Sequence, residues 1–217
     1  MIYREIAEAE ILELRKKISV GMSEKRYLHT LAVEDMASRM AELYCPDKKN
    51  KIRAAALLHD MTKELPAEEH ISICKEYGET LLPEDISAIK TLHSRTAAIL
   101  IPMKYPEFSD IEIINAVRYH TTGCAYMTLC EKIIYLSDYI DDTRKHWDCV
   151  RLRNMFWDAE PEKMDEEHRL EHLDIVVLEA VNTTINSLIE DRKIISCDTI
   201  SARNSLLLKM KNNGAKK

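Results

Sequence analysis

The residues of this sequence best suited to metal chemistry stand at wide intervals: His29, the adjacent pair His59-Asp60, His93, His120 and Asp138. His59 and Asp60 follow directly on Ala54-Ala55-Ala56-Leu57-Leu58, an apolar run that any helical fold must bury. An imidazole and a carboxylate carried into such surroundings are costly unless they are paired or bind a cation. Successive helical residues point about 100° apart, so both can serve one ion only near a helix end or across a widened site. Imidazole and carboxylate donors suit iron, manganese, zinc or cobalt, and residue types alone do not choose among these.

The remaining candidates share that placement. His29 lies one turn before Val33, in line with Met36 and Met40; His93 aligns with Ala97, Leu100 and Ile101. His120 aligns with Ile113, Ala116 and Val117, and Asp138 falls between Ile134 and Tyr135 on a helix apolar over most of its circumference. Alone, each histidine could be a hydrogen-bonded core residue, and Asp138 could cap a helix or pair with Arg118 or Arg144. Six separately satisfied buried polar groups are less economical than one inward-facing metal centre.

The elements that must hold these residues are helices. Only 4 glycines and 6 prolines interrupt 217 residues rich in Leu, Ile, Ala, Glu, Lys and Met, which predicts an all-α chain with a single core. Helices are expected from Tyr3 to about Val20, from a Ser23 N-cap to Leu43, and after Cys45-Pro46-Asp47 to about Lys63. Others follow from Pro66 to Tyr77, after Pro83, and from Thr91 to Met103. Ser109-Asp110-Ile111-Glu112 and Thr128-Leu129-Cys130-Glu131 read as capping boxes, opening helices that end at His120 and near Asp141. A long amphipathic helix spans 161–191, and a last one runs from Asp198 to about Met210. No stretch alternates like a half-buried strand. The expected division is an N-terminal helix over 1–22 packing on the core, a metal-dependent domain over 23–210, and a flexible tail over 211–217.

Charge and cysteine usage narrow the class further. A formal charge of -6 argues against broad binding to nucleic acid, although a bound cation can reverse the local field. The 6 cysteines form no CxxC pair and read as reduced residues of a cytosolic protein. The N-terminus is charged at once, so no signal peptide is expected, and no apolar run is long enough to span a membrane. The expected location is cytoplasmic.

Several polar residues could meet an anionic substrate. Lys63, one turn beyond His59, could hold a phosphate or simply pair with Glu64 or Glu68. Arg118 could grip phosphate while His120 faces the metal, and Thr121, Thr122 and Gly123 form a polar turn with free hydroxyls and N–H groups. Arg144 could do the same or only solvate a loop. His168 and His172 are spaced as an i, i+4 metal pair, yet they stand among Glu166, Glu167, Arg169 and Glu171 and read as a solvated face. His70 and His146 also read as surface residues, and nothing selects Tyr126 or Trp147 as a platform for a base.

The order His29, His59-Asp60, His93, His120, Asp138 resembles the HD superfamily of metal-dependent phosphohydrolases. Five stretches are similar to its YqeK family: Lys25-Arg26-Tyr27-Leu28-His29-Thr30, the run 56–66 around His59-Asp60, Arg118-Tyr119-His120-Thr121-Thr122-Gly123, the run 131–140, and Asp198-Thr199-Ile200-Ser201-Ala202-Arg203-Asn204. The resemblance covers about residues 20 to 208. It implies a single-domain HD-type helical bundle that cuts diadenosine tetraphosphate symmetrically into two ADP. It also implies two divalent or mixed-valence metal ions, usually iron, with metal-bound hydroxide attacking phosphorus. His29, His59, Asp60 and Asp138 match the core ligands, and His93 and His120 the ligands of a second metal. Asp60 would bridge the metals, with Lys63 beside it in the catalytic machinery. The family's link to NAD biosynthesis suggests an enzyme of that pathway as a partner, and a homodimer is left open. The same ligands would also suit another nucleotide substrate (a deoxynucleotide, a guanosine alarmone or a nucleoside diphosphate) or a metal- and nucleotide-binding regulator. Two departures stand out: Asp141-Asp142 where Glu-Pro is usual before the arginine matching Arg144, and Ala32 for a frequent glycine.

Overall fold

A computed structural model describes residues 5–214; Tyr3 and Arg4 of the first expected helix and residues 215–217 of the tail lie outside them. Among the described residues every regular element is helical. The longer helices are α1 (Glu8–Ser19), α2 (Glu24–Tyr44), α3 (Lys49–Leu58) and α4 (Ala67–Glu76). A short α5 (Pro83–Ser87) leads into α6 (Leu92–Lys104), α7 (Ile111–Tyr119) and α8 (Leu129–Ile140). They are followed by α9 (Trp147–Trp157), α10 (Glu166–Glu190) and α11 (Cys197–Gly214). No helix is long and apolar enough to cross a membrane.

The core is organised around α3. Its last residues, Ala54 to Leu58, are buried on every side, which requires neighbours all round. α1, α2, α7 and α8 supply them. Alanine at three successive positions lets the neighbouring backbones approach closely, while Met36, Met40, Ile133, Ile134 and Leu136 fill the spaces between layers. α10 closes the far side by packing on α8, α9 and α11.

Local signals in the sequence explain most boundaries. The Ser23 hydroxyl accepts the Arg26 N–H and starts α2, and Thr128 and Glu131 form the reciprocal cap of α8. α7 departs from expectation, because Asp110 rather than Ser109 caps it, accepting Glu112 N–H. α3 ends at Leu58, five residues before the expected Lys63. From there the backbone tightens to three-residue bonds, Met61 N–H to Leu58, Lys63 N–H to Asp60 and Leu65 N–H to Thr62. α9 had no counterpart in the sequence reading, because a short helix rich in Arg and Trp lacks a clear apolar stripe. α10 begins at Glu166 on an Asp165 cap, and 161–163 form a separate short turn. α11 runs on to Gly214, past Met210 into the segment expected to be tail.

The N-terminal helix is tied on by charge as well as by Ile11, Leu14 and Ile18. Glu34 of α2, only 1% exposed, accepts Arg15 of α1 at 2.6 and 3.0 Å and Arg53 of α3 at 2.9 Å. Truncating a buried carboxylate leaves its cationic partners uncompensated. Glu34→Ala is therefore expected to cost about 3 kcal/mol of stability, measured as a fall in urea midpoint at unchanged slope. A shift of only a few tenths would show that the bridge contributes nothing net.

Candidate metal centre

The residues singled out by type and spacing meet in one place. His59 is the residue at the C-terminal end of α3, His120 holds the same position on α7, His93 lies in the first turn of α6, and Asp138 in the last turn of α8. His29 comes from the second turn of α2. The end of α3 thus resolves the conflict posed by adjacent ligands, since beyond Leu58 the 100° spacing of an α-helix no longer applies.

The Asp60 carboxylate sits at the middle, 2% exposed. Its Oδ2 lies 3.4 Å from His59 Nε2 and 3.8 Å from His29 Nε2, while Oδ1 lies 3.2 Å from His93 Nε2 and 3.6 Å from His120 Nε2. Asp138 Oδ1 completes the first side, 3.0 Å from His29 Nε2 and 3.9 Å from His59 Nε2. Two overlapping groups result, His29, His59 and Asp138 on one side and His59, Asp60 and His120 on the other, each with donor atoms within 4.8 Å of one another.

The imidazoles are pre-aimed. Nδ1 of His59 is held on the Ala56 carbonyl at 2.6 Å, of His93 on Lys90 at 2.7 Å and of His120 on Val117 at 2.7 Å. Each of these is a bond to the residue three positions earlier, which turns Nε2 towards the shared centre. His29 uses a carboxylate instead, with Nδ1 3.4 Å from Asp141 Oδ2. Such outer partners fix the ring tautomer of a metal ligand and raise its basicity.

Nε2 of His29, Nε2 of His59 and Oδ1 of Asp60 are buried and make no hydrogen bond, although polar atoms crowd around them. Buried polar atoms are almost always satisfied, and unsatisfied ones converging on one point suit a cation shared among them. The donor set of imidazoles and carboxylates fits a divalent metal ion.

Protonation divides the centre in two. Burial alone would lower His29, yet Asp138 and Asp141 lift it to about 9. Burial alone would raise Asp60 and Asp138, yet the imidazoles crowded around Asp60, His59 and His120 first among them, hold it well below the carboxylate range. His29 and Arg144 do the same for Asp138. On the other side burial pushes His93 down to about 4 and also lowers His120, so both present neutral, ligand-ready nitrogens.

Cationic side chains surround the carboxylates. Lys63 stands three residues beyond Asp60 on the tightened turn, its Nζ 2.9 Å from His93 Nε2 and 3.8 Å from Asp60 Oδ1, and burial lowers its pKa. Glu64 instead bonds Ser23, so it does not compete for Lys63. Thr121 Oγ1 lies 3.0 Å from His93 Nε2. Arg144 Nη2 donates to Asp138 Oδ1 at 2.6 Å, and Arg26, missed in the sequence reading, donates to Asp60 Oδ2. Its position three residues before His29, on the same helical face, was the available signal. Arg26, His29 and Arg144 line a cavity of about 660 Å³ with Lys25, Leu28 and Thr143. A larger cavity of about 880 Å³ between Ile6 and Lys51 contains none of the clustered ligands.

Other candidates stand apart. Arg118 forms a two-pronged bridge to Glu79 at 2.8 and 2.9 Å, which occupies its guanidinium. Thr122 is buried and donates to the Gly123 carbonyl, so its hydroxyl is not presented outward. Gly123 has φ +67°, and an added Cβ would stand 2.9 Å from the Ala202 Cβ. His168 is exposed and pairs with Asp165, whereas His172 stacks on Phe156 and bonds its carbonyl; they share no metal group. His146 is exposed as expected, but His70 is buried, with Nδ1 2.9 Å from Thr96 Oγ1. Its acidic neighbours in sequence disguised the inward face of a short helix. All 6 cysteines are free, and Cys197 is exposed.

The HD domain family model matches residues 26–143, an interval that begins at Arg26 and encloses all the clustered ligands. The chain belongs to the HD-domain family. A protein of Halalkalibacterium halodurans named symmetrical bis(5'-nucleosyl)-tetraphosphatase is 30% identical over 192 residues, covering 88% of this chain and 93% of its own. One of the same name from Bacillus subtilis is 36% identical over 125 residues, 57% of this chain and 64% of its own. A crystal structure from Clostridium acetobutylicum, described as a predicted HD superfamily hydrolase involved in NAD metabolism, superposes with a TM-score of 0.78 at 34% identity. The match spans 91% of this chain and 96% of that one.

Asp60→Ala is expected to bring metal content to background while the helical circular dichroism is kept. Metal retained at wild-type stoichiometry would show the centre to be elsewhere. Gly123→Ala should lower stability by at least about 1 kcal/mol through its positive φ and the contact with Ala202; an unchanged melting temperature would contradict this.

Proposed function

We propose that this HD-domain chain is a metal-dependent hydrolase that splits diadenosine tetraphosphate symmetrically, giving two ADP. The observation that carries the reading is the pair of ligand groups that share His59, bordered by Lys63, Arg26 and Arg144. The relatives named for this activity support it, one of them matched over nearly its whole length.

His29, His59, Asp60 and Asp138 would hold one cation, and His93 and His120 would complete the shell of a second, with iron the first choice and manganese, cobalt or zinc suited to the same donors. Bound there, the metals would polarise phosphoryl oxygens and generate the nucleophile from water. The chain's own work is placement. Lys63 Nζ, close to both His93 and Asp60, is set to take a phosphoryl oxygen above the centre. Arg26 and Arg144 face the 660 Å³ cavity, which would receive one nucleoside diphosphate half. Thr121 steadies His93 and offers its hydroxyl beside it. Arg118 would have to leave Glu79 before it could touch phosphate. A homodimer, or a complex with an enzyme of NAD biosynthesis in the cytoplasm, belongs to the same reading; the latter has support in the NAD metabolism named for the Clostridium structure.

Product analysis decides the substrate. Metal-loaded chain given diadenosine tetraphosphate should release ADP alone, whereas AMP with ATP would reject symmetric cleavage. No turnover with iron, manganese, cobalt or zinc, alongside tight nucleotide binding, would favour a regulator. Lys63→Ala should lower kcat about 100-fold, the scale of losing a donor that meets developing charge, with metal content unchanged. A change in KM alone would confine Lys63 to ground-state binding.

A further inference from the structure

Arg153, on α9, converges on the backbone of a single turn. Its Nε donates to the Ile140 carbonyl at 2.6 Å, and its Nη2 to the carbonyls of Asp141 and Arg144, the latter at 2.9 Å. The side chain is 15% exposed, with an Asp142 carboxylate oxygen 3.4 Å from Nε. Carbonyls at the end of a helix lack intrahelical partners, and here a guanidinium from the next helix serves the end of α8.

Both ends of that turn touch the metal centre. Asp141 is fully buried; its Oδ1 accepts Thr143 N–H at 2.8 Å, and its Oδ2 faces His29 Nδ1 at 3.4 Å and Arg144 Nε at 3.3 Å. Arg144 N–H closes the turn on the Asp141 carbonyl at 3.1 Å, and its guanidinium reaches Asp138. His29 is thus the clustered imidazole whose Nδ1 faces a carboxylate on a loop. His59, His93 and His120 are braced by their own helices.

We propose that Arg153 is a positioning residue for the metal centre: it locks the turn 140–144 so that Asp141 orients His29 and Arg144 stays on Asp138. The proposal rests on the metal-centre reading of the site and not on the choice of substrate. Its effect falls on the group His29, His59 and Asp138; the bonds that aim His93 and His120 lie on other elements. Lysine cannot replace the fork, because one ammonium cannot span three carbonyls as a rigid planar group does.

The test is Mn²⁺ titration of the full chain by calorimetry, with metal content measured in parallel. Arg153→Ala should weaken about tenfold the Mn²⁺ that His29→Ala also loses, at the low end for outer partners of metal ligands. The second Mn²⁺ should keep its affinity, and millimolar guanidinium should restore the first in Arg153→Ala but not in His29→Ala. Arg151→Ala, on the same helix but bonded to Thr183, should bind both ions as wild type does. If Arg153→Ala does not fold, Arg153→Lys is read in its place and should show the same one-sided loss. Equal weakening of both ions in step with a lower melting temperature would make Arg153 merely structural, and unchanged affinities would overturn the proposal outright. A one-sided loss in a chain that leaves diadenosine tetraphosphate intact would sustain the positioning role while rejecting the substrate.

Discussion

A buried negative charge at Asp60 is the constraint on which the rest of the structure depends. The carboxylate is held ionised at the end of an apolar helix, where nothing but positive charge can compensate it. Arg26 and Lys63 supply part of that charge from the rim, and four imidazoles approach within 3.8 Å from four helices. Unsatisfied atoms nevertheless remain on both the carboxylate and the rings. The protein builds a shell whose members are mutually tolerable yet incompletely paired, which is the condition for a cation to bind strongly when it arrives.

Helix ends make that shell possible. A side chain in mid-helix is committed to one azimuth, whereas the first and last turns allow neighbouring residues to converge. Three rings also find their Nδ1 acceptor in the carbonyl three residues earlier, so ligand aim is fixed locally and tertiary packing has only to bring the ends together. α3 performs that assembly. Its Ala-rich end admits α2, α7 and α8 close enough for their ligands to meet His59 and Asp60.

The clustered residues were legible because burial makes polar residues conspicuous: each interrupts or ends an apolar stretch. Residues that act through loops were not. Asp141 and Arg153 lie in or beside a turn whose shape follows from tertiary hydrogen bonds, and no periodicity announces it, whereas Arg144 of the same turn stood out as a possible partner of Asp138, the pairing the structure shows. Arg26 could have been placed by its spacing from His29, but without an apolar neighbourhood it looked like any solvated arginine. His70 failed in the opposite way, since flanking glutamates masked a ring that packs inward on Thr96. The end of α3 illustrates a third limit. Helix propensity favoured continuation to Lys63, and the geometry needed by two adjacent ligands overrode it.

The charge balance around the centre explains how an acidic chain can still receive a polyphosphate. Asp60, Asp138 and Asp141 are countered by Lys63, Arg26 and Arg144, and His29, lifted to about 9, carries a further positive charge at neutral pH. A divalent cation taking the place of the His29 proton would raise the local charge by one, and the second cation proposed against the neutral His93 and His120 would raise it by two more. The overall charge of -6 is spread over the surface, where water and salt screen it. The surplus at the centre is enclosed by low-dielectric walls and screened far less. Arg26 and Arg144 line the cavity beside that surplus, so an anion entering it would meet both guanidinium charges together.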